Sequence, residues 1–480
     1  MDDKKLIIQD NYINGTWHSS DDRLKVFHKY SQELLAEISL ANSRQVENAI
    51  QASVKAFEIF KNYSAEKRAN ILENLYIKLE EQAEEFARLI AAEGGKPISY
   101  ARSEVSRALD NLRTGIREIF SFSGKQIPMD YLNGTGKLAY TLRVPIGPIV
   151  GITPFNFPLN LALHKLIPAI ATGCSIILKP APQAPLTLLA FAKLLEQTDL
   201  PQGAVNILMT NNENAQKLIE DDRLKILSFT GSDKVGWMLN KIAGKKKVLL
   251  EMGGNAAAIV DEGVNLQRAA RKLVYGSFLN AGQICISTQR IYVLENVFDE
   301  FIKHFIKETK KVKSGDLMDE EVINSSMISR QDLFRIKQWV DEAVEKGGQI
   351  LCGGQILDEK ANIFAPTILT NTTQNVKVNT EEAFAPVVVI EKIESFARGI
   401  ELVNDSRYGL QAGVFTNRVQ HIFKAQNELD VGGVIINDAP GFRIDSMPYG
   451  GVKDSGIGRE GVRYVMEEFT EPRLVVINPL

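Results

Sequence analysis

"GPIVGITPFNFPLNLALHKLIPAIATGCSIILKP" (residues 147–180) decides the fold. It opens on a short run rich in Ile and Val and turns through "TPFNFP". Apolar residues at helical spacing follow, then a second β-branched run, "SIILKP" (175–180). Short runs apolar on both faces suit strands buried on both faces, and strand–helix–strand units close as right-handed parallel crossovers. The pattern continues. "AVNILMT" (204–210), "ILSFTG" (226–231) and "KVLLEMGG" (247–254) read as strands, with helices near 185–197, near 214–220 and over "SDKVGWMLNKIAG". This alternation predicts an α/β architecture with a parallel, doubly wound sheet, which binds ligands at the carboxyl ends of its strands.

Upstream, "RQVENAIQASVKAFEIF" (44–60) and "EKRANILENLYIKLEEQAEEFARLIAAE" (66–93) carry apolar residues three and four apart and predict two amphipathic helices, the second closed by Gly94–Gly95. A third is expected from Ser99 to Phe122. Residues 124–144 read as a β-ribbon around an Asn-Gly turn, only marginally stable unless it packs on another chain. Downstream, 253–450 repeats an α/β texture, with strands at "RIYVL" (290–294), "VVVIEKI" (387–393) and "GGVIIND" (432–438). The tail "PRLVVINPL" (472–480) is a β-run expected to pair with the ribbon or with a neighbouring subunit.

Composition narrows the function. The 480 residues carry 56 basic and 59 acidic side chains, a net charge of −3, which leaves no basic excess for nucleic acid or an anionic membrane surface. Three separated cysteines (Cys174, Cys285, Cys352) and five scattered histidines form neither a disulfide framework nor a metal-binding pattern, so no metal is expected. "MDDKKLIIQDNY" (1–12) has no apolar signal core and no long apolar run follows, so the expected location is the reducing cytoplasm.

Four strand ends of the first sheet carry distinctive residues: Asn156 in "TPFNFP" (153–158), Lys179 in "LKPAP" (178–182), Gly231 and Ser232 in "FTGSDKVG" (229–236), and Glu251 in "LEMGG" (250–254). Ser232 reads equally well as a plain helix cap, and Lys179 as a surface lysine. Asn156 and Glu251 sit in runs apolar enough to be buried, where an unpaired polar group costs about 1–3 kcal/mol. Cys285 in "NAGQICIS" (280–287), between Ile284 and Ile286, reads on its own as an inert core thiol.

Together, "TPFNFP", "LKPAP", "SFTGS", "LEMGGN", "NAGQICIS", "EEAFAPVVVI" (381–390) and "MPYGGVKDSGIGREG" (447–461) resemble the aldehyde dehydrogenase superfamily over essentially the whole chain and in the family's order. The resemblance implies two Rossmann-like doubly wound domains plus a β-ribbon oligomerisation arm. The dinucleotide-binding domain would comprise 1–123 and 147–252, the catalytic domain 253–450, and the arm 124–146 and 468–480. It implies NAD(P)-dependent oxidation of an aldehyde to a carboxylate in a homodimer or homotetramer. Cys285 would be the nucleophile, with Asn156 and the Cys285 N–H as oxyanion donors and Glu251 as the base for thioester hydrolysis. Thr153, Pro154, Phe155, Lys179, Thr230, Gly231, Ser232, Gly236, Met252, Glu382 and Phe384 would hold the cofactor. Pro182 stands where many NAD-dependent members carry Glu, which removes a repulsion against a 2′-phosphate and admits NADP as well as NAD. Phe155 and Ala385 are milder departures, from Trp and Gly.

"EVSRALDNLR" (104–113) and "FRIDSMPYGG" (442–451) resemble the branch that handles short hydroxylated or anionic aldehydes. Arg107 and Arg443 are therefore candidates for a substrate anion, or for structural ion pairs, and Ile284 and Ile286 for tunnel walls. A coenzyme-A-acylating relative would not need Glu251 as a base, and a non-catalytic one would be expected to have lost Cys285, Asn156 or Glu251.

Overall fold

A computed structural model describes residues 7–478; positions 1–6 of the expected first domain and 479–480 of the expected arm lie outside the described residues. The first sheet has eight strands. Its parallel centre runs Lys247–Glu251, Ile226–Thr230, Ile149–Ile152, Ile176–Lys179, Val205–Ile207. Order reverses between Ile149–Ile152 and Ile226–Thr230, the crevice where such sheets take a ligand. Successive side chains feed opposite cores: Ile149, Ile176 and Ile226 enter one apolar cluster, and Val150, Ile177 and Leu227 the other. Each fully buried residue of this size contributes roughly 1.5–3 kcal/mol.

Two edge additions were not legible as strands of this sheet. Asn11–Ile13 and Thr16–His18 form a hairpin on one edge, and Gly456–Ile457 pairs antiparallel with Lys247–Glu251 on the other. The helical region also differs from expectation, with four helices rather than three: Ser43–Phe60, Ala65–Glu81, Ala83–Gly94 and Ile98–Ser121. The long second pattern breaks at Gln82, whose φ of −111° and ψ of 17° leave the helical range. It ends at Gly95, which caps in the left-handed conformation at φ 72°.

The second sheet has seven strands in the order Gln349–Cys352, Thr367–Thr370, Val387–Ile393, Arg290–Leu294, Ala257–Val260, Gln411–Phe415, Gly433–Ile436, all parallel except the first. The tail strand Thr470–Ile477 pairs antiparallel with Leu138–Pro145 of the same chain over eight residues, from Thr470↔Pro145 to Ile477↔Leu138. Gln126–Ile127 completes this ribbon as a third strand. Leu138, Leu142 and Leu474 stay exposed on it. Among the described residues, no helix is long and apolar enough to cross a membrane.

Candidate active site

The first sheet offers its carboxyl edge to the site and the second its amino edge. Thr153–Phe155 leave the strand Ile149–Ile152, and Lys179 and Thr230 end their own strands. Two cross-strand bonds tie this edge together, Thr153 N–H to Lys179 C=O at 3.1 Å and Gly231 N–H to Glu251 C=O at 3.0 Å. Opposite them, Cys285 precedes the strand Arg290–Leu294, and Glu382 and Phe384 precede Val387–Ile393.

Several groups on this edge are uncommitted among the described residues. Thr153 Oγ1 is buried without a partner. Lys179 is buried, and its ammonium meets no carboxylate among the described residues. Ser232 occupies the N-cap of Asp233–Ile242, but its hydroxyl makes no capping bond. These donors fit a dinucleotide laid across the strand ends. Gly236 serves packing: a Cβ there would stand 2.2 Å from the Met252 sulfur, so only glycine lets this helix approach Met252. Glu382 accepts from Gly254 N–H at 3.2 Å, and burial pushes its carboxyl up to about 8. Phe384 meets Phe155 edge-to-face at 5.7 Å.

The loop that carries Cys285 is wound left-handed. Asn280, Ala281 and Gly282 have φ of 54°, 54° and 67°. For non-glycine residues this conformation costs roughly 1–2 kcal/mol each, so the surroundings must impose it. Gln283 does so. Its buried side chain donates to the carbonyls of Asn280 and Ser326, both at 3.2 Å, and accepts from Ile328 N–H at 2.8 Å. Gly282 packs its backbone on Ala385, whose carbonyl a Cβ would meet at 2.2 Å. The loop delivers Cys285 half-buried into a cavity of about 540 Å³. Tyr100, Phe157, Leu161, Ile284, Ile286 and Tyr449 wall it, and Arg107 and Arg443 add positive charge.

Asn156 donates to Gln283 C=O at 3.0 Å, which fixes its amide orientation and leaves its second N–H free. Among the described residues nothing accepts from Cys285 N–H. Burial pushes the Cys285 thiol up to about 12, while the Tyr449 hydroxyl and the Arg443 guanidinium pull it down. Glu251 turns away from the cavity into a small void with Lys165, His164 and Glu460, and both its carboxylate oxygens are buried without a partner. Burial, then the charge of Glu460, pushes its carboxyl well above the usual range.

The chain returns to the site between Arg443 and Glu460. The Tyr449↔Glu460 bridge and the strand Gly456–Ile457 pin this segment against Glu251. Arg443 donates to Glu460 at 3.0 Å, and Lys165 lies 3.5 Å from the same carboxylate and donates to Thr230 at 2.7 Å. Burial opposes the ionisation of Glu460, yet Lys165, His164 and Arg443 bring it down to about 2. Arg107 grips Asp445 through Nε at 3.0 Å and Nη2 at 2.7 Å, and His164 Nε2 meets the same carboxylate at 2.9 Å. Arg107 and Arg443 thus line the cavity and also make ion pairs. Sequence reasoning missed Gln283, His164, Lys165, Asp445, Tyr449 and Glu460. Tyr449 and Glu460 lie inside a motif it quoted, but nothing local marks them.

The aldehyde dehydrogenase family model matches residues 17–475. The chain is 41% identical over 469 residues to the 3-sulfolactaldehyde dehydrogenase of Priestia aryabhattai, covering 97% of each. Aldehyde dehydrogenase 21 of Physcomitrella patens, solved with the reaction product succinate, superposes with a TM-score of 0.95 at 38% identity, covering 99% of each chain. The glyceraldehyde-3-phosphate dehydrogenase of Methanocaldococcus jannaschii, solved with NADP, gives a TM-score of 0.92 at 36% identity, covering 96% of this chain and 100% of that one. The chain belongs to the aldehyde dehydrogenase family and oxidises an aldehyde to a carboxylate with NAD(P), by way of a cysteine thiohemiacetal and thioester.

Proposed function

We propose that the substrate is a short aldehyde with a carboxylate or sulfonate at its far end. The observation that carries this reading is the set of arginines that line the Cys285 cavity, Arg107, Arg271 and Arg443. Arg107 commits only Nε and Nη2 to Asp445, so Nη1 is free for a ligand. Arg443 points its buried Nε at the Asp445 carboxylate, 3.7 Å away, and gives Nη2 to Glu460, and its Nη1 makes no hydrogen bond among the described residues. An arginine edge suits a planar or tetrahedral oxyanion. The printed substrates or products of the three relatives (sulfolactaldehyde, succinate and glyceraldehyde-3-phosphate) each carry an anion beyond the reacting carbon.

Cys285 thiolate attacks the aldehyde carbon. The oxyanion takes the free N–H of Asn156 and the N–H of Cys285. The bound nicotinamide supplies the hydride acceptor. Glu251 then rotates towards the thioester and removes a proton from the attacking water; a carboxyl raised by burial is a stronger base once ionised. Lys179 and Ser232 hold the adenosine and phosphate portions, and Glu382 the nicotinamide ribose. Pro182 in place of an acid, and a buried Lys179 that meets no carboxylate among the described residues, admit NADP as well as NAD.

Two arms test the substrate class: kcat/KM for succinate semialdehyde relative to acetaldehyde in the wild type, and the same ratio in Arg107→Ala and Arg443→Ala. The ratio is expected to be large in the wild type and to fall roughly tenfold or more in each variant, since a charge-assisted bond contributes about 1.5–3 kcal/mol. Because general damage lowers both substrates together, an unchanged ratio sinks the reading.

The exposed Leu138, Leu142 and Ile477, on one face of the ribbon, support a homodimer or homotetramer built through it. A reducing cytoplasm would keep Cys285 free, and cell fractionation checks that placement.

A further inference from the structure

We propose that Tyr449 is a catalytic residue whose hydroxyl donates a hydrogen bond to the Cys285 sulfur, holding the thiolate before attack and receiving it again when the thioester breaks. The inference rests on Cys285 being the nucleophile. The Tyr449 oxygen lies 2.9 Å from Cys285 Sγ. The ring is buried and packs on Ile286 and Leu410, so its position is set by the apolar wall and not by solvent.

Two features make the phenol the donor. Burial, together with the neighbouring Cys285, keeps its proton on well beyond the usual tyrosine range. The Arg443 guanidinium lies over the ring face, 3.7 Å from its centroid, and draws electron density from the phenol. Glu460 fixes that guanidinium at 3.0 Å, and the Tyr449↔Glu460 backbone bridge holds ring and anchor on one hairpin. The other groups that act on the sulfur are Arg443, which favours the thiolate, and Glu382 and Glu251, which oppose it; Tyr100 faces it as a neutral phenol.

The steps balance. On attack, the Sγ–carbon bond forms and the carbonyl π pair moves to oxygen, so charge leaves sulfur and the Tyr449 bond weakens. In hydrolysis, water adds to the thioester carbon and gives one proton to Glu251. The carbonyl re-forms, the carbon–sulfur bond breaks, and the pair returns to sulfur, where the Tyr449 O–H again donates. Tyr449 loses no proton in either step.

The test uses iodoacetamide on the full-length protein without cofactor or aldehyde, in a Cys352→Ser background, with the alkylated peptide read by mass spectrometry. Tyr449→Phe removes only the oxygen. At one fixed pH, below the thiol's midpoint, the rate of Cys285 alkylation should fall about threefold in Tyr449→Phe: one lost bond to a charged group lowers the thiolate fraction about tenfold, offset by roughly threefold greater nucleophilicity. Tyr449→3-fluorotyrosine, a stronger donor of the same shape, should raise the rate. A second arm follows the acetyl-enzyme formed from p-nitrophenyl acetate, whose lifetime should lengthen several-fold in Tyr449→Phe. An alkylation rate that stays or rises in Tyr449→Phe overturns the proposal, as does an unchanged acetyl lifetime. Neither arm uses the physiological aldehyde, so a wrong substrate class leaves the test intact, whereas turnover by Cys285→Ser would refute the nucleophile itself.

Discussion

Glu251→Gln separates the two half-reactions. The side chain is buried, both of its oxygens lack partners, and it faces away from the Cys285 cavity, so the acylating half-reaction makes no demand on it. Gln is nearly isosteric with the protonated acid that burial favours here, which keeps the cost to folding small. A positioned general base contributes about 10²–10⁴-fold, or roughly 3–5 kcal/mol at 1.36 kcal/mol per factor of ten. Steady-state turnover should fall by that factor. Rapid mixing should still show one equivalent of reduced cofactor per active site at a rate close to wild type, and quenched samples should carry the acyl group on Cys285. The pH dependence follows from the sign of the shift. The carboxyl is raised by burial and by the charge of Glu460, so the fraction able to act as a base grows with pH above the usual carboxylate range, and wild-type kcat should rise with it. Glu251→Gln should lose this limb. A burst that disappears together with the steady state, or turnover within threefold of wild type, would refute the assignment of Glu251 to hydrolysis.

Other outcomes are equally specific. Cys285→Ser should abolish turnover while leaving cofactor binding by fluorescence unchanged, and Cys352→Ser should leave kcat/KM unchanged. Gln283→Ala strands the Ser326 carbonyl and the Ile328 N–H, whereas the Asn280 carbonyl keeps the backbone N–H of residue 283, and at about 1 kcal/mol or more for each stranded group the urea midpoint should report a loss of about 2 kcal/mol or more. Pro182→Glu should move the kcat/KM ratio from NADP towards NAD by tenfold or more; an unchanged ratio would leave the Lys179–Pro182 edge out of cofactor choice. Leu142→Asp, placed on the exposed face of the ribbon, should reduce the assembly mass by light scattering without lowering the helix content of the subunit.

The parts of the fold that were legible are those where a local pattern and its tertiary role coincide. The strands Ile149–Ile152, Ile176–Lys179 and Ile226–Thr230 are β-branched runs because each is buried on both faces, and burial leaves its mark on every residue. The break at Gln82 left no such mark. The sequence around it keeps good helix formers and apolar spacing, and only the backbone angles show two helices where one pattern runs through. Gly456–Ile457 was hidden for another reason. A two-residue strand carries no periodicity, and its partner, Leu250–Glu251, lies some two hundred residues earlier.

The active site divides along the same line. Asn156 and Glu251 stood out as candidates because each is a polar residue out of place in an apolar run at a strand end, and the structure buries both. Cys285 did not, because a thiol between two isoleucines suits a core as well as it suits a reaction. What would make it reactive comes from elsewhere in the chain. The left-handed turn of Asn280–Gly282 is imposed by Gln283 reaching Ser326 and Ile328, and the Tyr449 hydroxyl lies 2.9 Å from the sulfur. Arg107 and Arg443 show the limit from the other side. The sequence offered each as either a substrate clamp or an ion pair; the fold gives each an ion pair and also places it in the cavity wall, so the two readings are compatible in the same side chain. Asp445 takes Nε and Nη2 of Arg107, Asp445 and Glu460 flank Nε and Nη2 of Arg443, and Nη1 of each arginine makes no hydrogen bond among the described residues. A guanidinium already fixed by a buried carboxylate loses little freedom when an anion binds its open edge, so the ion pair pre-organises the clamp and does not compete with it. Asp445→Asn therefore tests the pairing directly. If the carboxylate only neutralises Arg107, anionic substrates should bind more tightly; if it holds the guanidinium in place, KM for succinate semialdehyde should rise while that for acetaldehyde stays put. The bidentate grip at 2.7 and 3.0 Å favours the second outcome.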